Sequence, residues 1–287
     1  MKLLRFEHQG GKHAGVLTPS GVVAVAEVNA RRGSAVPDDL LAIIQSGDLL
    51  PLRDLRDVPA LPISEVRPVL PYDVPGKIWC IGLNYKSHAE DIQATQPEEP
   101  GSFMKPASCM FEPGGDIVLP PPHISDDVDA EGELGVIIGK KCRFVPAEDI
   151  QSVIFGYTTT MDLTALDVLR KNTRYLTRAK SIDTFFSFGP VIVTADEIPD
   201  VTALEVITEH NGGICSRDFV RNMRHVPFEL VRFHSDFMTL YPGDLISTGC
   251  PKGARIKPGD AVRARIDGVG ELSANVRAFE ATERAAS

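Results

Sequence analysis

Beyond residue 71 the chain is cut into short β-branched or apolar runs by recurring Gly and Pro, 24 and 22 of them in the whole sequence. That punctuation limits the fold more than any other feature. Tyr241-Pro242-Gly243-Asp244 and Lys257-Pro258-Gly259-Asp260 are two such turns, each followed by a β-branched or apolar run. Helical patterns interrupt the series near Thr164–Lys171 and Val226–Phe237. Many short strands that must pair non-locally predict an α+β, mostly β, fold: a rolled β-sheet domain of barrel or sandwich form. There is no repeat at a fixed period, no low-complexity segment and no phosphate-binding glycine loop.

Residues 1–70 read as a small N-terminal α/β domain, and 71–287 as a second, larger domain. The run Val16-Leu17-Thr18-Pro19-Ser20-Gly21-Val22-Val23-Ala24-Val25 predicts a hairpin turning at Pro-Ser-Gly. Pro37–Ile44 predicts a short helix with acids in its first turn. Val58–Pro71 holds four prolines and reads as a linker. Lys77–Gly82 is a buried-strand candidate, Asn84–Ala94 is helical in character, and Gln96–Gly101 is a Pro/Glu-rich loop.

Length and composition fit a globular protein, with 287 residues and 43% hydrophobic content. A formal net charge of −9 argues against nucleic acid or an anionic membrane as partner, since both call for a basic surface. No apolar stretch approaches the roughly 20 residues that span a bilayer. The first residues lack the apolar core of a signal peptide. Five scattered cysteines with no Cys-x-x-Cys pair argue against a disulfide framework or a zinc site. A reducing cytoplasm is the expected location.

The chemistry gathers in a few stretches. In Asp129-Ala130-Glu131-Gly132-Glu133-Leu134 two glutamates stand at i and i+2, ahead of the apolar run Leu134–Ile138. On a strand they project from one face. Their mutual repulsion is relieved by a cation between them. Asp162 follows a second β-rich stretch, Val153–Met161, and could supply a third oxygen. An all-carboxylate set suits Mg²⁺ or Mn²⁺. The alternative is a solvated strand end with ordinary surface acids.

Ile81-Gly82-Leu83-Asn84-Tyr85-Lys86-Ser87-His88-Ala89-Glu90-Asp91 carries a second signal. On a helix His88 and Asp91 share a face, whereas Glu90 does not. A carboxylate beside an imidazole fixes its tautomer and raises its basicity, as a base acting on water requires. The alternative is a surface pair with no role.

The order of blocks is itself informative. Gly82-Leu83-Asn84-Tyr85…His88-Ala89 is followed by Phe103-Met104-Lys105-Pro106, Glu131-Gly132-Glu133-Leu134, Gly156-Tyr157 and Asp162. Then come Ala179-Lys180-Ser181-Ile182-Asp183-Thr184-Phe185, Gly189-Pro190, Asn211-Gly212 and Leu240 to Pro251. From about residue 77 to 277 this succession resembles the fumarylacetoacetate hydrolase family. The resemblance implies that family's rolled β-sheet domain, with one divalent cation per chain, Mg²⁺ or Mn²⁺, on Glu131, Glu133 and Asp162. It implies a lid carrying a water-activating His–carboxylate dyad, here His88 and Asp91. It implies that Lys180 reaches the substrate or the metal shell and that Thr248 lies near the substrate. It also implies a homodimer. Lys105 follows the lid and either faces the site or stays on the surface.

Departures from the family pattern bear on substrate. The dyad acid is commonly Glu; Asp91 is one methylene shorter, and Glu90 could replace it only outside a regular helix. The family's usual Arg and Gln after the third ligand are Leu166 and Leu169 here. These cannot donate hydrogen bonds, so this part of the pocket is expected to receive an uncharged end of the substrate. Cys250 stands where a second Thr is usual and reads as a packed small residue; Ser216 replaces a frequent Gln. The expected activity is metal-dependent hydrolysis of a carbon–carbon bond in a 1,3-dicarbonyl such as a β-diketone, acylpyruvate or diketo acid. Isomerisation, tautomerisation or decarboxylation of a 2-oxo acid is the alternative, and a non-catalytic binding protein is the third reading.

Overall fold

The computed structural model describes residues 1–91 and 94–280, the side chain of Asp91 excepted. The N-terminal strands are β1 (Lys2–His8), β2 (Gly11–Thr18), β3 (Gly21–Ala24) and β4 (Arg67–Val69). They are followed by β5 (Ile78–Gly82), β6 (Gly101–Lys105), β7 (Asp116–Leu119), β8 (Val128–Ile138), β9 (Ile154–Ala165) and β10 (Phe186–Thr194). The last strands are β11 (Glu205–His210), β12 (Gly213–Phe219), β13 (Leu245–Ser247), β14 (Ala254–Ile256), β15 (Ala261–Ile266) and β16 (Gly270–Ala278). Helices are short: α1 (Val25–Arg32), α2 (Leu40–Ser46), α3 (Lys86–Asp91), α4 (Ile150–Val153), α5 (Leu166–Lys171), α6 (Leu176–Lys180) and α7 (Pro227–Phe237).

Two open sheets pack as a sandwich. The larger runs β3-β2-β1-β10-β9-β8-β13-β5-β6, with β4 beside β1 and β14 beside β8; the smaller runs β12-β11-β15-β16-β7. Of the two forms expected from sequence, sandwich and not closed barrel is realised. Strands β8 and β9 are buried along their whole length because one face meets the small sheet and the other meets α5 and α6. Period two then divides β8 cleanly: Glu131 and Glu133 look one way, Gly132 and Leu134 the other. Gly132 is glycine for a steric reason. A Cβ there would lie 2.8 Å from Thr208 Oγ1 and 2.9 Å from Ala264 Cβ, on the small sheet. The Gly132 amide instead donates to Thr208 Oγ1 at 3.1 Å, tying the sheets together.

The predicted hairpin forms as β2–β3 around Pro19 and Ser20. The helix expected over Pro37–Ile44 is α2, and it starts later because Asp39 caps it, its carboxylate accepting from Ala42 N. The Pro-rich linker contains β4, which pairs Arg5↔Val69 along the second half of β1. The first half of β1 pairs with β10, Leu3↔Ile192. The N-terminal strands therefore extend the large sheet. Among the described residues no helix is long and apolar enough to cross a membrane.

Candidate active site

The register of β8 against β9 sets Glu131 directly opposite Asp162 and Glu133 opposite Thr160. Asp162 lies inside β9 and not beyond a strand end, as the sequence had implied. Glu131, Glu133 and Asp162 are all buried, and one oxygen from each falls within 4.8 Å of the others. Directly opposed like charges destabilise a sheet. Two buried lysines offset that cost. Lys180 Nζ, at the end of α6, donates to Glu131 Oε2 at 3.0 Å and to Asp162 Oδ2 at 2.6 Å. Lys105 Nζ donates to Asp162 Oδ1 and to Leu163 O.

Two of the three remaining carboxylate oxygens are held as well. Thr164 donates its hydroxyl proton to Glu131 Oε1. Ser247 Oγ and the Gly249 amide donate to Glu133 Oε2. Burial would raise Glu131, but Lys180, His88 and Thr164 outweigh it and hold its carboxyl below the ordinary value. Burial, then Asp162 and Glu131, push Glu133 up to about 8. Burial would lower Lys180, yet Asp162 and Glu131 hold its ammonium well above the ordinary value.

With Glu133 pushed up to about 8 by its acidic neighbours, the third carboxylate ionises at neutral pH only if a further positive charge enters the buried site. The residues fit a hard divalent cation on charge, on donor chemistry and on convergence.

A cavity of about 270 Å³ opens on this cluster. Glu131, Glu133, Lys180, His88 and Cys250 line its polar end. Leu83, Leu166, Leu169, Leu176 and Phe103 are among its apolar lining, with the hydroxyl residues Ser102, Thr164 and Thr173 beside them. Both leucines at the family's Arg and Gln positions thus face the cavity. The Phe103 ring lies 5.0 Å under Lys180 Nζ. Two residues expected near substrate are set elsewhere. Lys105 is sealed beneath Asp162, and Thr248 turns its hydroxyl to Leu134 O at 2.8 Å; neither lines the cavity.

His88 is buried on α3, with Nδ1 3.8 Å from Cys250 Sγ. The side chain of Asp91, its expected partner, lies outside the described residues. Glu90 is exposed and pairs with Lys86 at 3.5 Å, on another face of the helix. Loop anchors fix where α3 begins. Asn84 Nδ2 donates to Thr248 O at 2.7 Å and to His225 O at 2.9 Å, and Ser87 Oγ donates to Pro251 O at 2.8 Å. Gly249, at φ +93°, lets this loop approach: a Cβ there would sit 2.9 Å from Asn84 Cβ. Burial, then Glu131 and Glu133, push the Cys250 thiol well up. Sequence reasoning missed Thr164, Ser247 and Asn84 as supports. Only Thr164 left a trace, standing two residues after Asp162 and so on its face.

A two-sheet β fold with a buried carboxylate triad at the base of a small cavity is the frame of a cation-dependent enzyme. Residues 77–277 match the model of the fumarylacetoacetate hydrolase C-terminal domain, and the chain belongs to the fumarylacetoacetate hydrolase family. A mitochondrial oxaloacetate tautomerase of Homo sapiens is 34% identical over 287 residues, 95% of this chain and 90% of that protein. A maleylpyruvate hydrolase of Sphingobium sp. SYK-6, solved with manganese(II) and pyruvate, superposes with a TM-score of 0.80 at 30% identity, covering 98% of this chain and 100% of that one. A 5-carboxymethyl-2-hydroxymuconate delta-isomerase of Mycobacterium smegmatis gives 0.76 at 30% identity, covering 98% and 100%. Similar proteins thus include a hydrolase, an isomerase and a tautomerase.

Proposed function

We propose that this protein is a divalent-metal-dependent hydrolase that cleaves a carbon–carbon bond in a 1,3-dicarbonyl acid with an apolar end. The observation that carries the reading is the cavity itself, lined by Glu131, Glu133, Lys180 and His88 together with Leu83, Leu166, Leu169 and Leu176. A cation held by Glu131, Glu133 and Asp162, Mg²⁺ or Mn²⁺, would polarise the substrate oxygens and stabilise developing enolate charge.

The chain's own groups supply the rest. His88 takes the proton from water, a step in which a positioned base typically contributes about 10²–10⁴ in rate. Asp91 orients that imidazole. Lys180 is held as an ammonium and donates to developing oxyanion charge while keeping Glu131 ionised. Leu166 and Leu169 receive an alkyl or ring substituent, because a carboxylate buried against them would lack donors. The reaction proceeds in a cytoplasmic homodimer; all five cysteines are free, as a reducing compartment allows.

A second reading is favoured by the human relative: tautomerisation of a 2-oxo acid such as oxaloacetate, which uses the same enolate without hydrolytic water. Turnover of acylpyruvates, diketo acids and oxaloacetate with Mg²⁺ or Mn²⁺ in heavy-oxygen water separates them. Label in a product carboxylate supports hydrolysis. Conversion of oxaloacetate between keto and enol forms, with no cleavage of any diketo acid, would overturn it.

A further inference from the structure

The cavity contains a convergence of a different donor chemistry. A ring nitrogen of His88, Cys250 Sγ and one oxygen of Glu131 all lie within 4.8 Å of one another, and all three residues are buried. We infer that His88, Cys250 and Glu131 form a second cation site, selective for a thiophilic divalent ion of the zinc class, which shares Glu131 with the all-oxygen triad.

Bonds of about 2.0–2.3 Å in a tetrahedron separate ligand atoms by about 3.3–3.8 Å. His88 Nδ1 and Cys250 Sγ are already 3.8 Å apart. The two segments that carry the pair are tied to each other. Ser87, next to His88, donates to the carbonyl of Pro251, next to Cys250, and Asn84 donates to Thr248 at the start of the same loop. Those bonds clamp the first turn of α3 over the Cys250 loop. All three residues line the cavity, from which water or substrate would complete the coordination.

The donor sets divide the metals. Three carboxylates suit a hard cation, whereas imidazole, thiol sulfur and one carboxylate suit a soft or borderline one. Binding breaks the Cys250 S–H bond, forms a sulfur–metal bond and releases the proton to solvent, with no change of oxidation state. An ion seated there ties up His88, so zinc-class ions block any reaction that needs this imidazole free. The site itself stands whatever reaction the cavity performs.

Cobalt(II) is the probe, because a thiolate ligand gives a near-ultraviolet charge-transfer band that an all-oxygen site does not. The full chain, cleared of metal by chelation, is titrated with Co²⁺ in excess Mg²⁺. The band should appear, should vanish in Cys250→Ser and Cys250→Thr, and should weaken in His88→Ala. It should persist in Cys142→Ser, Cys215→Ser and Glu133→Gln, with circular dichroism confirming that each variant is folded. No band in the unaltered protein, a band surviving in Cys250→Ser, or a band lost in Glu133→Gln would each overturn the inference.

Discussion

Single side chains decide the chemistry, and Glu131 is the most connected of them. It faces Asp162 across the sheet, accepts from Thr164 and Lys180, and stays ionised although buried. Glu131→Ala removes a proposed ligand and leaves Lys180 with Asp162 alone, so titration calorimetry should show strongly weakened Mg²⁺ or Mn²⁺ binding. Unchanged affinity would exclude the triad as the metal site. His88→Ala should lower kcat by about 10²-fold or more while Mg²⁺ affinity holds, because His88 is not a triad ligand. A third residue sets a pH dependence. His234 is buried among Trp79, Phe233 and Phe237, donates from Nδ1 to Leu230 O, and has no partner on Nε2 among the described residues. Burial lowers it from the ordinary 6.5. Below that value the unfolded chain binds a proton that the folded one refuses, so stability is full above pH 6.5 and falls as the pH drops. Glu133 works the other way over this range, so the reading is a difference: in urea unfolding from about pH 7.5 to about pH 5.5 the protein should lose stability relative to His234→Phe. An identical slope in the variant would mean that other groups govern the acid limb.

Elements translate these residues into a site. The β8–β9 pair carries the triad on one face and the contact with the small sheet on the other, so both faces of one strand are committed. Gly132→Val would push a branched side chain into Thr208 and Ala264 and break the Gly132 hydrogen bond. A loss of about 1–3 kcal/mol is expected in chemical denaturation. A neutral result would show that the sheets can part at no cost. Helix α5 brings Leu166 and Leu169 to the cavity, and under the proposed function these two set specificity. Leu166→Arg combined with Leu169→Gln should shift the kcat/KM ratio, for a homologous pair ending in carboxylate or methyl, about tenfold or more toward the carboxylate. A preference for the dianionic member in the unaltered enzyme would refute the apolar-end reading.

Across the whole molecule, the N-terminal strands are bound into the large sheet. β1 covers the edge of β10, and Arg5, buried, donates from Nε to Leu70 O while pairing with Asp73. A chain lacking residues 1–70 exposes the edge of β10 and the apolar row that β1 covers, a template for self-association. Light scattering should show aggregation and thermal unfolding should move down; a monodisperse product of equal stability would show that these strands are dispensable.

The same scale separates what was legible in the amino-acid order from what was not. Period two placed Glu131 and Glu133 on one face, and Gly–Pro punctuation gave a mostly β chain with helices close to α5 and α7. These are properties of neighbours along the chain, and they survive without knowledge of the fold. Open sandwich against closed barrel, the register that sets Asp162 opposite Glu131, and the burial of Lys105 beneath it all depend on pairings between distant segments. So does the approach of Cys250 to His88, which side-chain hydrogen bonds from Asn84 and Ser87 to the carbonyls of Thr248 and Pro251 impose on a residue that, by sequence, was only a small packed thiol. Local periodicity fixes which side a residue faces; only non-local hydrogen bonding and close packing fix what it faces.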